Sequence, residues 1–236
     1  MSLSIGNIIQ ELRQEETPQF IERKHYDIDV NQLVELATVI GTQMFPEKFV
    51  IDDQNRFAYE NALKWLAGQE FQCLDFDNEK KIIKGNTCKG LYLAGSVGSG
   101  KSVLLEIISK IAMKLGVLWY SDGNPRPLTG ICHRSSSICD DYKNTGEIVK
   151  YKNSPILYIQ DLGTEQPETM HMGNRNRVLR EILEHRGDRP QYMTLISSNN
   201  SPSDIDNLNM YGERVVSRLY EMSNYLIING KDRRKL

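Results

Sequence analysis

Apolar residues along this chain follow two spacings, one suited to buried strands and one to helices. Gly90-Leu91-Tyr92-Leu93-Ala94, Gly116-Val117-Leu118-Trp119-Tyr120, Ile156-Leu157-Tyr158-Ile159 and Met193-Thr194-Leu195-Ile196 are short continuous apolar runs, as expected of strands covered on both faces. Between the first two, Val103, Leu104, Ile107, Ile108, Ile111, Ala112 and Leu115 recur at helical spacing. Further helices are predicted over 55–66, with Phe57, Ala58, Ala62, Leu63, Trp65 and Leu66 on or near one face, and over 138–150 and 176–185. Asp122-Gly123-Asn124-Pro125-Arg126-Pro127 reads as a turn. Near the start, Ile5, Ile8, Ile9 and Leu12, then Leu33, Leu36, Ala37 and Ile40, carry helical spacing interrupted at Thr17-Pro18. The pattern predicts an α/β fold with a central parallel sheet flanked by helices. It places a short N-terminal helical arm over 1–44, a boundary near Met44-Phe45-Pro46, and one αβ unit over 45–236.

The first strand and helix are joined by Gly95-Ser96-Val97-Gly98-Ser99-Gly100-Lys101-Ser102, which fits G-x-x-x-x-G-K-[ST] at every fixed position. Glycines let such a loop curl with its N–H groups turned inward around a polyphosphate. The residues 95–103, ending with Val103, are therefore the expected nucleotide-binding segment, with the helix N-terminus aimed at the anion. Lys101 is expected to reach the β- and γ-phosphates of ATP, and the Ser102 hydroxyl to coordinate Mg²⁺.

Composition narrows the field. The formal net charge of −2 over 236 residues gives no overall field for nucleic acid, so any contact with single-stranded DNA needs a local basic patch. Arg175, Arg177, Arg180, Arg186 and Arg189, with His171 and His185, are one candidate. Arg177 with Glu181 and Arg180 with Glu184 also fit ordinary helix-surface pairing. His133-Arg134-Ser135-Ser136-Ser137 suits either phosphate contact or a helix start. Cys73, Cys88, Cys132 and Cys139 lack metal-ligand spacing and read as reduced thiols. No apolar run is long enough for a bilayer and the N-terminus has no signal-peptide pattern, so a cytoplasmic protein with no membrane partner is expected.

A phosphate-handling site also needs a carboxylate at a neighbouring strand end, and Ile156-Leu157-Tyr158-Ile159-Gln160-Asp161-Leu162-Gly163 offers one. This stretch resembles the hhhh-D-[DE]-[LI]-G segment of AAA+ ATPases of the DnaC/IstB-like family, bacterial helicase loaders and transposition helpers. In that pattern the first acid supports Mg²⁺ and the second polarises water. Here Gln160 stands on the first position and Asp161 on the second. The resemblance implies either that Asp161 serves metal and water, with Glu165 helping, or that ATP is bound and hydrolysed slowly. Thr194-Leu195-Ile196-Ser197-Ser198-Asn199 is similar to the family's sensor strand, which implies that Asn199, or the adjacent Asn200, holds the lytic water. Tyr211-Gly212-Glu213-Arg214-Val215-Val216-Ser217-Arg218-Leu219 resembles the G-E-R-V-x-x-R-[LM] box. In the family such an arginine reaches the ATP of a neighbouring subunit, so Arg214 or Arg218 is implied to act in trans within a nucleotide-dependent homo-oligomer.

Leu226-Ile227-Ile228-Asn229-Gly230 and the basic residues after it are similar to the family's terminal strand, with Arg233 or Arg234 near phosphate. Phe49, Val50 and Ile51 are similar to a segment that packs beside adenine. The resemblance covers about residues 46–236. It implies an AAA+-like P-loop ATPase whose partner is a replicative helicase or a transposase. The rival class is a nucleotide-gated adaptor with little turnover. A small-molecule kinase shares the loop but has no use for Asn199 and the Gly212-Glu213-Arg214 box together.

Overall fold

The computed structural model describes residues 21–46, 48–207, 210–230 and 232–233, with side chains at 206 and 207 left aside. The helical spacing of Ile5 to Leu12 and the break at Thr17-Pro18 lie outside the described residues, as do Arg234 and Lys235.

The described chain opens with strand β1 (Ile21–Arg23) and helix α1 (Val30–Met44). Helix α2 (Arg56–Leu66) and strands β2 (Gln72–Leu74) and β3 (Ile82–Lys84) precede β4 (Gly90–Ala94) and α3 (Lys101–Leu115). Then come β5 (Leu118–Ser121), β6 (Asn124–Pro127), β7 (Cys132–Arg134), α4 (Ser135–Thr145), α5 (Val149–Asn153) and β8 (Ile156–Leu162). Strands β9 (Thr169–His171) and β10 (Asn174–Asn176) form a hairpin before α6 (Val178–Gly187) and β11 (Met193–Ser198). Helices α7 (Pro202–Asn207) and α8 (Glu213–Met222) lead to β12 (Ser223–Ile227).

Seven strands form the main sheet in the order β3-β2-β12-β4-β11-β8-β7. The pairs from β12 through β7 are parallel, and β2 and β3 extend the sheet antiparallel. Alternate residues of one strand serve opposite layers. Leu91 and Leu93 join the core built with Trp65, Leu104, Ile107, Ile108 and Ile111. Tyr92 and Ala94 join the core containing Ile138, Leu157, Ile159, Ile182, Leu183, Val215 and Leu219. Burial on both faces explains the unbroken apolar runs of β4, β8 and β11, each Leu or Ile contributing about 1.5–3 kcal/mol. The run at 116–120 instead gives β5, an alternately buried strand of a separate antiparallel sheet with β1 and β6. A Cβ at Gly90 would lie 1.8 Å from the Thr194 carbonyl oxygen, so β4 and β11 require hydrogen there.

Three expectations change. Residues 124–127, read as turn, form a strand antiparallel to β5. Asp122 and Gly123 have φ of 49° and 72°, the pair of positive values a tight hairpin turn needs, and the prolines sit on an edge strand where a missing N–H costs little. The helix expected over 138–150 starts at Ser135 and stops at Thr145, with Gly146 in the left-handed region at φ 73°. Its remainder is the separate α5. Residues 21–44 are also tied to the main body. β1 pairs with β5, and Leu33, Ala37 and Ile40 of α1 enter the same core as α2 and α3. No helix among the described residues is long and apolar enough to cross a membrane.

Candidate functional site

Strand β4 ends where the loop 95–100 begins, and α3 starts at Lys101. Gly95 has φ 150°, and a Cβ there would meet the Ile228 carbonyl oxygen at 2.2 Å, so the loop lies directly on the segment leaving β12. Gly100 takes the left-handed conformation at φ 102° as the N-cap of α3, and no side chain caps that first turn. The uncapped N–H groups of a helix start suit an anion. Lys101 is 4% exposed and donates to the carbonyl oxygens of Gly95 at 2.9 Å and Ser96 at 2.7 Å. Its ammonium is thus held at the loop mouth by groups that phosphate oxygens can replace.

Beside the loop, the Ser102 hydroxyl is 3.3 Å from Asp161 Oδ1 and 3.3 Å from Ser197 Oγ. Ser197 Oγ also accepts the Asp161 N–H at 3.2 Å, so three elements converge here. Asp161 has φ 58°, a left-handed conformation that a short polar side chain tolerates. The Ser135 and Thr164 hydroxyls hold it by donating to its carbonyl oxygen, each at 2.8 Å. Gln160 Nε2 donates to the Ser102 carbonyl oxygen at 3.3 Å and to Glu106 Oε1 at 3.0 Å.

Lys101, Ser102, Glu106, Gln160, Asp161 and Thr164 line a cavity of about 600 Å³. Residues 97–103 form its floor, with Glu106, Gln160, Asp161, Thr164, Asn199 and Arg134 on one side. Phe45, Phe49, Val50 and Tyr59 supply an apolar end. Ile51 packs into the core instead. Of the two adjacent amides, Asn199 reaches the cavity, while the Asn200 carbonyl accepts from the Tyr92 hydroxyl at 2.9 Å. Arg233 closes one corner. It donates to the Val50 carbonyl at 2.9 Å, pairs with Asp52 at 2.9 Å, and its backbone N–H meets the Gly98 carbonyl at 3.1 Å.

Other expected residues lie elsewhere. Arg214 and Arg218 converge on Asp188, at 2.8 and 2.6 Å, and do not line the cavity. Arg186 is 1% exposed and donates to Thr194 Oγ1 and to the Ser154 and Met193 carbonyls, which removes it from any nucleic-acid patch. Arg175 and Arg177 pair with Glu168, and Arg180 with Glu184. Glu181, expected opposite Arg177, binds Lys152. Glu106 belongs to the cavity yet stood outside the expected set, and Arg134, expected as a phosphate contact or a helix start, lines it too. Glu106 had a readable signal, since it follows Ser102 by four residues on one helix and so shares its face.

Glu165 also departs from expectation. It is buried away from the cavity, accepting from the Tyr211 hydroxyl and from the Gly163 N–H, the latter at 3.0 Å. Burial outweighs these hydrogen bonds and raises its pKa above 4.5. Protonation is therefore easier folded than unfolded, and the folded state binds more protons between the two values. Stability is expected to fall as pH rises from about 4.5 through the raised folded value. Thermal melts across that window should show the slope, and Glu165→Gln should flatten it. A slope unchanged by the substitution would place the titrating group elsewhere.

The parallel sheet order, the glycine loop between β4 and α3, and the strand-end acid on β8 give the chain an AAA+-like P-loop fold. No protein-family model matches the chain. Its sequence is 30% identical over 156 residues to the replicative helicase loader DnaI of Bacillus subtilis, across 62% of this chain and 48% of DnaI. The chain thus spans about half the length of that curated relative. The solved structure of a primosome component from Streptococcus pyogenes serotype M3 matches with a TM-score of 0.50 and 23% identity, over 77% of this chain and 83% of that one. AMPPCP-bound DnaA from Aquifex aeolicus matches with a TM-score of 0.51 and 19% identity, over 79% and 50%. These structural likenesses establish the fold. The chain shares that fold, and in sequence it is similar to a replicative helicase loader.

Proposed function

We propose that this protein binds ATP with Mg²⁺ at the β4–α3 loop, hydrolyses it to ADP and phosphate, and uses the cycle to assemble on a replicative helicase in the cytoplasm. One observation carries the reading: Lys101, Ser102, Asp161 and Asn199, drawn from three separate elements, line a single cavity with an apolar end. The helicase partner and the replication setting are supported by the likeness to DnaI, a replicative helicase loader. A transposase remains the alternative partner of the family resemblance.

The Ser102 hydroxyl and the Asp161 carboxylate offer oxygen donors 3.3 Å apart, which fits Mg²⁺, an ion that keeps much of its shell as water and phosphate. Bound there, Mg²⁺ would neutralise phosphate charge. Asn199 orients a water toward the γ-phosphorus, and Asp161 accepts its proton as the bond to the bridging oxygen breaks. Lys101 follows the charge that develops on the phosphoryl oxygens. Arg214 and Arg218, which pair with Asp188 and do not line their own cavity, would serve a neighbouring copy. Residues 1–44 remain the proposed docking segment, with 21–44 anchored on the ATPase core.

Light scattering with and without a slowly hydrolysed ATP analogue tests the shared site. The mass should rise from the 27.1 kDa of one chain to a multiple of it. A mass that stays at one chain with saturating analogue would remove the trans arginine. Gln160 favours a second reading, an adaptor that binds ATP with little turnover, because a neutral amide replaces a metal-side acid. Phosphate release with and without single-stranded DNA separates the two.

A further inference from the structure

We infer that Glu106 is the metal-side carboxylate that position 160 lacks, an assignment that rests on the ATP and Mg²⁺ reading above. The strand end carries Gln160, 5% exposed, whose amide cannot supply charge. Its orientation is nonetheless determined. Both acceptors within reach, the Ser102 carbonyl at 3.3 Å and Glu106 Oε1 at 3.0 Å, lie at Nε2. Oε1 is therefore the acceptor left for the cavity that Gln160 lines.

Glu106 is half-buried, lines the same cavity, and stands one helical turn beyond Ser102. No cation among the described residues forms an ion pair with it. A carboxylate facing a cavity whose one hydrogen-bond donor among the described residues is the Gln160 amide keeps lone pairs for a further donor. The waters that Mg²⁺ retains are such donors. The charge has moved from the strand to the helix, and Gln160 bridges Glu106 to the backbone of the Ser102 whose hydroxyl faces the metal. The same amide fixes the Glu106 rotamer, so the two residues act as one unit.

The test is a titration of Mg²⁺ into the full chain with a fluorescent, slowly hydrolysed ATP analogue, reading nucleotide binding and not turnover. Glu106→Gln should raise the Mg²⁺ concentration at half-saturation by about 10–100-fold, the usual cost of losing an outer-shell partner. Metal-free nucleotide affinity should stay equal or tighten, because a negative charge beside the phosphates is gone. The exchange variant Glu106→Gln/Gln160→Glu should return the midpoint to within about threefold of wild type, by restoring one carboxylate at the same shell. A wild-type midpoint in Glu106→Gln, or an exchange variant no better than the single one, overturns the assignment while leaving ATP binding intact. A wild-type chain that fails to bind the analogue at saturating Mg²⁺ overturns both readings together.

Discussion

Lys101→Ala is expected to weaken binding of ATP with Mg²⁺ by about 100–1000-fold. The reason is the position of the ammonium, 4% exposed and pinned to the Gly95 and Ser96 carbonyls at the loop mouth. Hydrogen bonds to a charged group contribute about 1.5–3 kcal/mol each. Loss of two such contacts to phosphate oxygens, each near the lower end of that range, amounts to about 3–4 kcal/mol, at about 1.4 kcal/mol per tenfold. Isothermal titration of wild type and variant checks it. Affinities within twofold of each other would show that the loop does not use this lysine. The same variant should still fold, since alanine is an excellent helix former at the start of α3.

The second large effect is expected from Asp161→Asn, which should lower phosphate release by about 10²–10⁴-fold while ATP affinity changes by less than about tenfold. Asparagine preserves shape and accepts the left-handed backbone that Asp161 adopts at φ 58°. It keeps the backbone held by Ser135 and Thr164. The ability to take a proton is removed, together with the negative charge that faces Mg²⁺. Phosphate release at saturating ATP, with and without single-stranded DNA, is the measurement. Release unaltered by the substitution would move the acid elsewhere. Tight ATP binding by wild type with no release under either condition would favour the adaptor.

The phosphate-loop pattern was legible because its chemistry is local. Eight consecutive residues contain the glycines, the lysine and the hydroxyl, and the apolar runs on either side announce strand and helix. Asn199 follows a buried strand, and it, not the adjacent Asn200, is among the residues that line the cavity. The 124–127 segment was misread because prolines signal turns unless an edge strand is available, and β5 makes this one an edge. Glu165 was misread for a different reason. A carboxylate three residues past β8 looks free to help Asp161 until Tyr211, 46 residues away, is seen to hold it inside.

Short-range order is written into residue spacing: which runs are strands, which faces of helices are apolar, and where glycine must stand. Those properties depend on neighbours one to four positions apart, so a linear reading reaches them. The composition of the site depends on contacts across 59 residues between Ser102 and Asp161, and across 36 between Asp161 and Ser197. Only sheet order determines such pairings, because β8 and β11 must lie side by side before their ends can share a hydroxyl. The same holds for Glu106 and Gln160, 54 residues apart, whose single hydrogen bond puts a charge where the linear motif shows none.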